Sequence, residues 1–350
     1  MAYTTIDDPS EYFTTLLYTG NATDNRNLTN SANAGDFKPD WLWLKERSST
    51  SSHQLHDSNR GTSFAVMSDS NAVEDEDANR VQAFQTNGFQ VGTASTVNQD
   101  GITMVAWQWK ANGGTTTTND ASATSVGNND SVIQANTTAG FSIVTFTSPG
   151  SGLTIAHGLG GKPDLIISKS LESTEKWSVH TTLLDGSLDY LRLSETDAAG
   201  NSSFSLPTST VFGYNGSDDV DYVAYCFRSI QGYSKIGTYT GNGSADGPFI
   251  YTGFKPAWVL VKRFDTGSGF SGAWDIHDST RGEGVNPTNE SLIASATNVE
   301  SDDQPLDFLS NGWKVRHDLQ GANISGGSYL YYAIAESPFV SSKGVPTTAR

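Results

Sequence analysis

The sequence predicts an all-β chain of three tandem β-sandwich modules, jelly-roll or lectin-like, and three observations predict it. A stretch that opens on a Lys-Pro pair and runs into apolar, largely β-branched or aromatic residues occurs three times. The copies are Phe37-Lys-Pro-Asp-Trp-Leu-Trp-Leu-Lys45, Gly161-Lys-Pro-Asp-Leu-Ile-Ile-Ser-Lys169 and Phe254-Lys-Pro-Ala-Trp-Val-Leu-Val-Lys262. The motifs around each copy keep their order while the loops change length, which marks duplicated domains and not a short-repeat solenoid. Thirty-five glycines and long Ser, Thr and Asn runs favour turns between short strands, and 17% charged residues are too few for long amphipathic helices. A closed β-barrel in each module is the alternative. At 350 residues the chain exceeds a single hydrophobic core.

Each Lys-Pro stretch reads as the central strand of its module. Proline fixes φ and has no N–H to give to a ladder, so it belongs at a strand start. The apolar run behind it has the length of a buried strand, and each run closes on a lysine. Residues 1–11 are a polar leader, either a flexible terminus or an attachment arm. Residues 12–110 form module 1, which opens with Tyr12-Phe-Thr-Thr-Leu-Leu-Tyr18 and carries Leu55-His-Asp-Ser-Asn-Arg-Gly61. Its Phe84-Gln-Thr-Asn-Gly-Phe89 places Asn-Gly between aromatic residues, a hairpin signal. The module closes with Ile102-Thr-Met-Val-Ala-Trp-Gln-Trp109. Alternation there puts Met104, Ala106 and Gln108 on one face and Val105, Trp107 and Trp109 on the other.

Residues 111–138, rich in Thr, Asn and Gly, read as a linker, extended or paired against another surface. Residues 139–232 form module 2, with Phe141-Ser-Ile-Val-Thr-Phe146, Trp177-Ser-Val-His180, a Phe212-Gly-Tyr214 turn and Tyr222-Val-Ala-Tyr-Cys-Phe227. Residues 233–339 form module 3, with Ile236-Gly-Thr-Tyr239, Trp274-Asp-Ile-His-Asp-Ser-Thr-Arg-Gly282, Phe308-Leu-Ser-Asn-Gly-Trp313 and Tyr329-Leu-Tyr-Tyr-Ala-Ile334. The closing strands align on Ala106, Ala224 and Ala333, and Ser291-Leu-Ile-Ala-Ser-Ala296 is a short helix or a strand. Residues 340–350 are a tail.

Net charge is −17 and the pI about 4.6, which opposes binding to nucleic acid or insertion into anionic membranes. It suits high salt, divalent cations or saccharides. A single cysteine, Cys226, leaves no internal disulfide. There is no long apolar segment, and no basic stretch leads into an apolar one, so neither a transmembrane helix nor a signal peptide is expected. The protein is expected to stay in the cytoplasm or to leave the cell by a route other than secretion.

The most site-like clusters are His56-Asp57 with Arg60 and His277-Asp278 with Arg281. Histidine beside carboxylate suits a general base or a metal ligand. The repeated Asp-x-x-Arg-Gly pattern equally suits an ion pair clamping a loop, and Asp57, Arg60, Asp278 and Arg281 are read as structural ion pairs. Module 2 keeps His180 but has Thr181-Thr-Leu-Leu184 where the others have the pair. No nucleophile motif occurs. Cys226 lies within an apolar closing strand and reads as a core residue. Gly158-Leu-Gly-Gly161 leads into a proline strand, not into a helix N-terminus, so it is not a phosphate cradle. The acidic runs Glu74-Asp-Glu-Asp77 and Glu300-Ser-Asp-Asp303 lack the pattern of a calcium loop. No catalytic residue, metal site or cofactor is assigned. Most of the eight tryptophans are core, but Trp43, Trp109, Trp274 and Trp313 are candidate ligand or interface aromatics.

Several motifs carry a resemblance. The opening Tyr3-Thr-Thr-Ile-Asp-Asp-Pro-Ser10, the Tyr-Thr-Gly-Asn pairs, the Phe-Lys-Pro-x-Trp strands, Val105-Ala-Trp-Gln-Trp-Lys110 and the ending Ser337-Pro-Phe-Val-Ser-Ser-Lys-Gly-Val-Pro-Thr-Thr-Ala-Arg350 are similar to a family of marine bacteriophage virion proteins. That family occurs in phages of marine bacteria, including cyanobacteria, and is often labelled tail-fibre-like. The resemblance runs essentially the full length. It implies a non-enzymatic virion protein on the particle surface, a tail fibre or adhesin that touches host surface glycans and contacts other virion proteins. A capsid decoration or head-fibre protein is one alternative; a glycan-cleaving tailspike with paired carboxylates in loops is the other. It also implies a homotrimer, and Ile6, Tyr12 and Phe13 of the arm are the expected anchors for docking onto the particle.

Overall fold

The structure, a computed structural model, describes residues 2–30, 36–265 and 272–347. It is all-β, as the sequence predicts. The helical turns Pro9–Glu11, Ser95–Asn98 and Ala121–Thr124 are short, and among the described residues the antiparallel sheets stay open, with no barrel.

Each third of the chain lays down one large sheet in the same order. The opening strand (Phe13–Thr19, Phe141–Pro149, Ser234–Thr240) pairs with the closing strand (Thr103–Trp109, Asp218–Phe227, Ser328–Pro338). The closing strand pairs on its other side with the Lys-Pro strand (Trp41–Glu46, Leu165–Ser170, Phe254–Arg263). That strand pairs with a histidine strand (Gln54–Asp57, Ser178–Thr181, Trp274–Asp278). Pro256, the one such proline inside a strand, sits where the pairing shifts register, as a residue without an N–H must. Both Asn-Gly hairpins form, as Val81–Gln85 with Gly88–Val91 and Leu306–Leu309 with Gly312–Val315. Gly88 has φ of 97°, and a Cβ there would come within 2.1 Å of Leu28 O, so the position needs glycine. Phe212-Gly-Tyr214 is strand, paired with Leu153–Ala156, and not a turn. Ser291–Ala296 contains the short strand Leu292–Ile293.

One alignment needs correction. Lys45, Lys169 and Lys262 face Val105, Val223 and Leu330, so Tyr331, not Ala333, stands in register with Ala106 and Ala224. A two-residue slip keeps every side chain on its face, so alternation alone does not detect it.

The two faces of each large sheet have different partners. The outward face packs on a small sheet of its own module: Leu42, Leu44 and Ala106 on Leu28, Phe89 and Val91, for instance. Modules 2 and 3 each have their own cluster of this kind. The inward faces meet one another. Trp41, Trp43 and Trp107, then Leu165, Ile167 and Tyr225, then Trp258, Leu260 and Tyr332 lie in one cluster that draws on all three modules. The expected tandem of separate sandwiches is thus replaced by three modules around a shared core. Burial of a tryptophan removes about 150–250 Å² from water, roughly 4–6 kcal/mol each as an upper bound.

Two further expectations are decided. Of the two readings of residues 111–138 the paired one holds: Thr117–Asn119 and Ser131–Asn136 extend module 2's sheet beyond its opening strand to eight strands. The N-terminal arm is not a free docking segment. Ile6 is 2% exposed and Phe13 3%, both inside the shared core, and Tyr12 is half-buried with its ring 5.9 Å from that of Tyr233. The arm spends its few apolar side chains on the open end of the core. Tyr3 Oη donates to Gly253 O at 2.7 Å, and Ser342 N donates to Asp7 Oδ1 at 2.6 Å, so arm and tail meet. Residues 348–350 of the tail lie outside the described residues.

Candidate functional site

The three modules meet at three junctions, and the backbone treats them alike. Glu74 N donates to Leu171 O at 2.7 Å between modules 1 and 2. Ala199 N donates to Phe264 O at 2.9 Å between modules 2 and 3, and Glu300 N donates to Arg47 O at 2.9 Å between modules 3 and 1. A second set follows the same cycle. Trp177 Nε1 donates to Met67 O and Trp274 Nε1 to Arg192 O, each at 2.8 Å. At the third junction His53 replaces the tryptophan. Trp43 Nε1 donates to His53 Nδ1 at 2.8 Å, which leaves Nε2 to donate to Ile293 O at 2.9 Å. Burial holds His53 neutral, its pKa lowered to about 3.

The side chains at the junctions differ. Between modules 3 and 1, Arg281 Nε lies 2.5 Å from Asp278 Oδ2, and Glu300 takes both Arg281 at 2.9 Å and Arg47 at 2.7 Å. Trp107 Nε1 of module 1 donates to Asp278 at 3.0 Å, and the Arg281 guanidinium stands 5.4 Å from its ring centre. Between modules 1 and 2, Arg60 Nε lies 2.5 Å from Asp57 and its Nη1 2.6 Å from Glu74. Tyr225 Oη of module 2 donates to Asp57 at 2.8 Å. Burial opposes the Arg60 charge, yet Asp57 and its neighbours outweigh it and raise the guanidinium pKa above its ordinary value. Between modules 2 and 3 the same positions hold Thr181, Leu184, Ala199, Phe264 and Tyr332, with no ion pair among them. Leu184, Ala199 and Phe264 pack against the shared core.

The clusters Asp57–Arg60 and Asp278–Arg281 are therefore buried clamps between modules. Sequence reasoning missed Glu74 and Glu300 as their partners. The available signal was that both acidic runs begin with the glutamate that each arginine reaches. The histidines of the clusters are buried: His56 Nδ1 lies 3.0 Å from Thr62 O, and burial lowers its pKa to about 3. Cys226 is buried, its thiol pushed up to about 12. Among the described residues no group of three or more His, Cys, Asp or Glu is placed to hold a metal ion, and no helix is long and apolar enough to cross a membrane.

The aromatic candidates do not form a site. Trp43, Trp109 and Trp274 are 1% exposed inside the shared core, and Trp313 is 0% exposed under module 3's small sheet. Both faces of each large sheet are covered, so strand alternation sends no tryptophan to solvent.

One open cleft lies at the junction of modules 1 and 2, with a volume of about 870 Å³. The 111–138 segment builds one wall, and it has no counterpart strand in the large sheets of modules 1 and 3. Gln134 Nε2 donates to Ser58 Oγ and Asn59 Oδ1, each at 2.8 Å, which fixes this wall to the Asp57–Arg60 turn. The opposite wall is the outer end of module 2's opening and closing strands. There the register slips between Ser148 and Pro149, and Asp219 takes a left-handed φ of 57°. The slip leaves Asp218, Asp219 and Asp221 exposed along the rim. Phe64, Phe146 and Leu171 supply apolar lining.

A family model described as a domain of unknown function, DUF7483, matches residues 8–338. No curated protein matches the chain.

Proposed function

The chain belongs to the DUF7483 family, and on that footing we propose that it is a non-enzymatic surface protein of a bacteriophage particle, a tail-fibre-like adhesin that contacts host surface glycans. The observation that carries this reading is the shared core. One chain brings three like sheets around a common centre, with the same two hydrogen bonds recurring at every junction, an arrangement that a trimeric fibre makes from three chains. The motifs of the arm, the Lys-Pro strands and the tail support the same reading through their resemblance to marine phage virion proteins. In place of the homotrimer that the resemblance implies, we propose a single copy, because the inward face of every large sheet is already covered.

Three measurements test the proposal. Light scattering of the purified protein should give the mass of one chain, 37.4 kDa; three times that mass refutes the single copy. Antibody labelling of intact particles should decorate the tail. Labelling of the head favours a capsid decoration protein, and absence from purified particles overturns the virion assignment. Incubation with glycans should release no shortened product; product formation makes the protein a glycan-cleaving enzyme instead.

A further inference from the structure

We propose that the cleft at the junction of modules 1 and 2 is the saccharide site, and that it takes uncharged or amino-bearing sugars and rejects anionic ones. The ligand class rests on the adhesin reading above; the location rests on a comparison of like positions. At the junction of modules 3 and 1, Arg47 reaches across and closes on Glu300 with two nitrogens, Nε at 3.0 Å and Nη2 at 2.7 Å. At the junction of modules 1 and 2 the residue in Arg47's place is Leu171, which cannot reach Glu74 with a charge. At the junction of modules 2 and 3 that place holds Phe264, packed on the core. Only the first of these replacements leaves a junction carboxylate facing open space, and there the 111–138 segment adds the second wall. The scaffold needs neither feature, since the other two junctions hold together without them.

The lining sets the ligand. Glu74, Asp130, Asp218, Asp219 and Asp221 face the cleft, and the one cation in its wall, Arg60, is already engaged by Asp57 and Glu74. The carboxylates accept hydrogen bonds from neighbouring hydroxyls on a ring, while the Asn128 and Asn129 amides hold the wall itself, through Gly152, Thr154, Asp130 and Thr147. Phe64 and Leu171, both part-exposed, offer the apolar face such a ring packs on. An ammonium on the sugar gains from the carboxylates; a carboxylate or sulfate on it meets like charge with no free cation to offset it. The volume of about 870 Å³ is that of a cleft for an oligosaccharide and not for a single small ion.

The test is calorimetric titration of the full chain with three probes: glucosamine oligomers, N-acetylglucosamine oligomers and galacturonic acid oligomers. At least one of the first two should bind, and the third at least ten-fold more weakly. Leu171→Arg restores the side chain of the closed junction and should weaken binding at least ten-fold without lowering Tm. Asp218→Asn with Asp219→Asn removes rim charge in residues that keep the backbone geometry and should cut the preference for glucosamine over N-acetylglucosamine oligomers at least three-fold. Binding that is unchanged in both variants moves the site elsewhere and leaves the adhesin reading standing. Tighter binding of galacturonic acid oligomers overturns the charge rule. Failure of all three probes, in a protein that still binds host cells, overturns the ligand class assigned to the cleft.

Discussion

At the junction of modules 3 and 1, Asp278, Arg281, Glu300 and Arg47 form a chain of charges, buried at Asp278 and Arg281, part-exposed at Glu300 and Arg47, and capped by Trp107. At the junction of modules 2 and 3 the same places hold Thr181, Leu184, Ala199, Phe264 and Tyr332. Both junctions carry the same backbone hydrogen bond, at 2.9 Å in each. The backbone contact therefore does not need the ions, and the ions do not need to be there singly: every member is present at one junction and every member is absent at the other. That is the behaviour expected of buried charge. A complete set is tolerated because each ion is paired, and a complete apolar set because nothing needs pairing; the partial set between modules 1 and 2 is tolerated because Glu74 keeps Arg60 and faces the open cleft.

The largest effect should come from breaking the complete set. Arg281→Ala strands Asp278, which is 0% exposed, and should lower unfolding free energy by about 3–5 kcal/mol in denaturant titration. A loss under 1 kcal/mol would mean that the pair is solvated in solution and that the contrast between junctions is not one of burial.

A second expected effect sharpens the comparison by pH. Asp275 of module 3 is fully buried, and burial pushes its carboxyl up to about 7, whereas module 1 has the neutral Gln54 at that place. A carboxyl whose folded pKa lies above its unfolded value loses stability as pH rises from about 4 through 7. The full loss is of the order of 4 kcal/mol, at about 1.4 kcal/mol per pH unit. Asp275→Asn should therefore raise Tm at pH 8 and leave it unchanged or slightly lower at pH 4. Equal shifts at both pH values would show that the carboxyl is not the titrating group.

The smallest effect should come from the largest number of changes. Arg47→Phe, Trp107→Tyr, Asp278→Thr, Arg281→Leu and Glu300→Ala together copy the apolar junction into the charged one. The fivefold variant should lie within about 2 kcal/mol of wild type, and above Arg281→Ala alone. A variant less stable than the single change would show that the two junctions differ in shape as well as in charge.

Much of the fold was legible in the residues. The Lys-Pro runs named the inner strands, and Val105, Trp107 and Trp109 alternate with Met104, Ala106 and Gln108 as read. What hid the shared core is that Trp41-Leu-Trp-Leu44 is apolar on both faces. Such a run says that both faces are covered but not by what. The same ambiguity made Trp43 and Trp109 look like interface residues; they do lie at an interface, but an internal one. The arm misled because its polar composition hides how much Ile6 and Phe13 bury. The cleft was not legible at all, since its lining comes from residues 59–74, 118–149 and 171–222, which only the fold brings together.

The cyclic closure has a consequence for how the chain is made. Module 1 leaves the ribosome before module 3, yet its tryptophan face is finished by module 3, whose closing strand Ser328–Pro338 lies more than two hundred residues further along the chain. Until then Trp107 and Trp109 lack the Trp258 ring of module 3, 6.4 and 5.6 Å from theirs in the folded chain. Domains that fold as they emerge avoid long exposure of such surface; this chain cannot use that route to completion. Its native state has to form late and nearly at once, so removing the strand Ser328–Pro338 should cost solubility before it costs anything else.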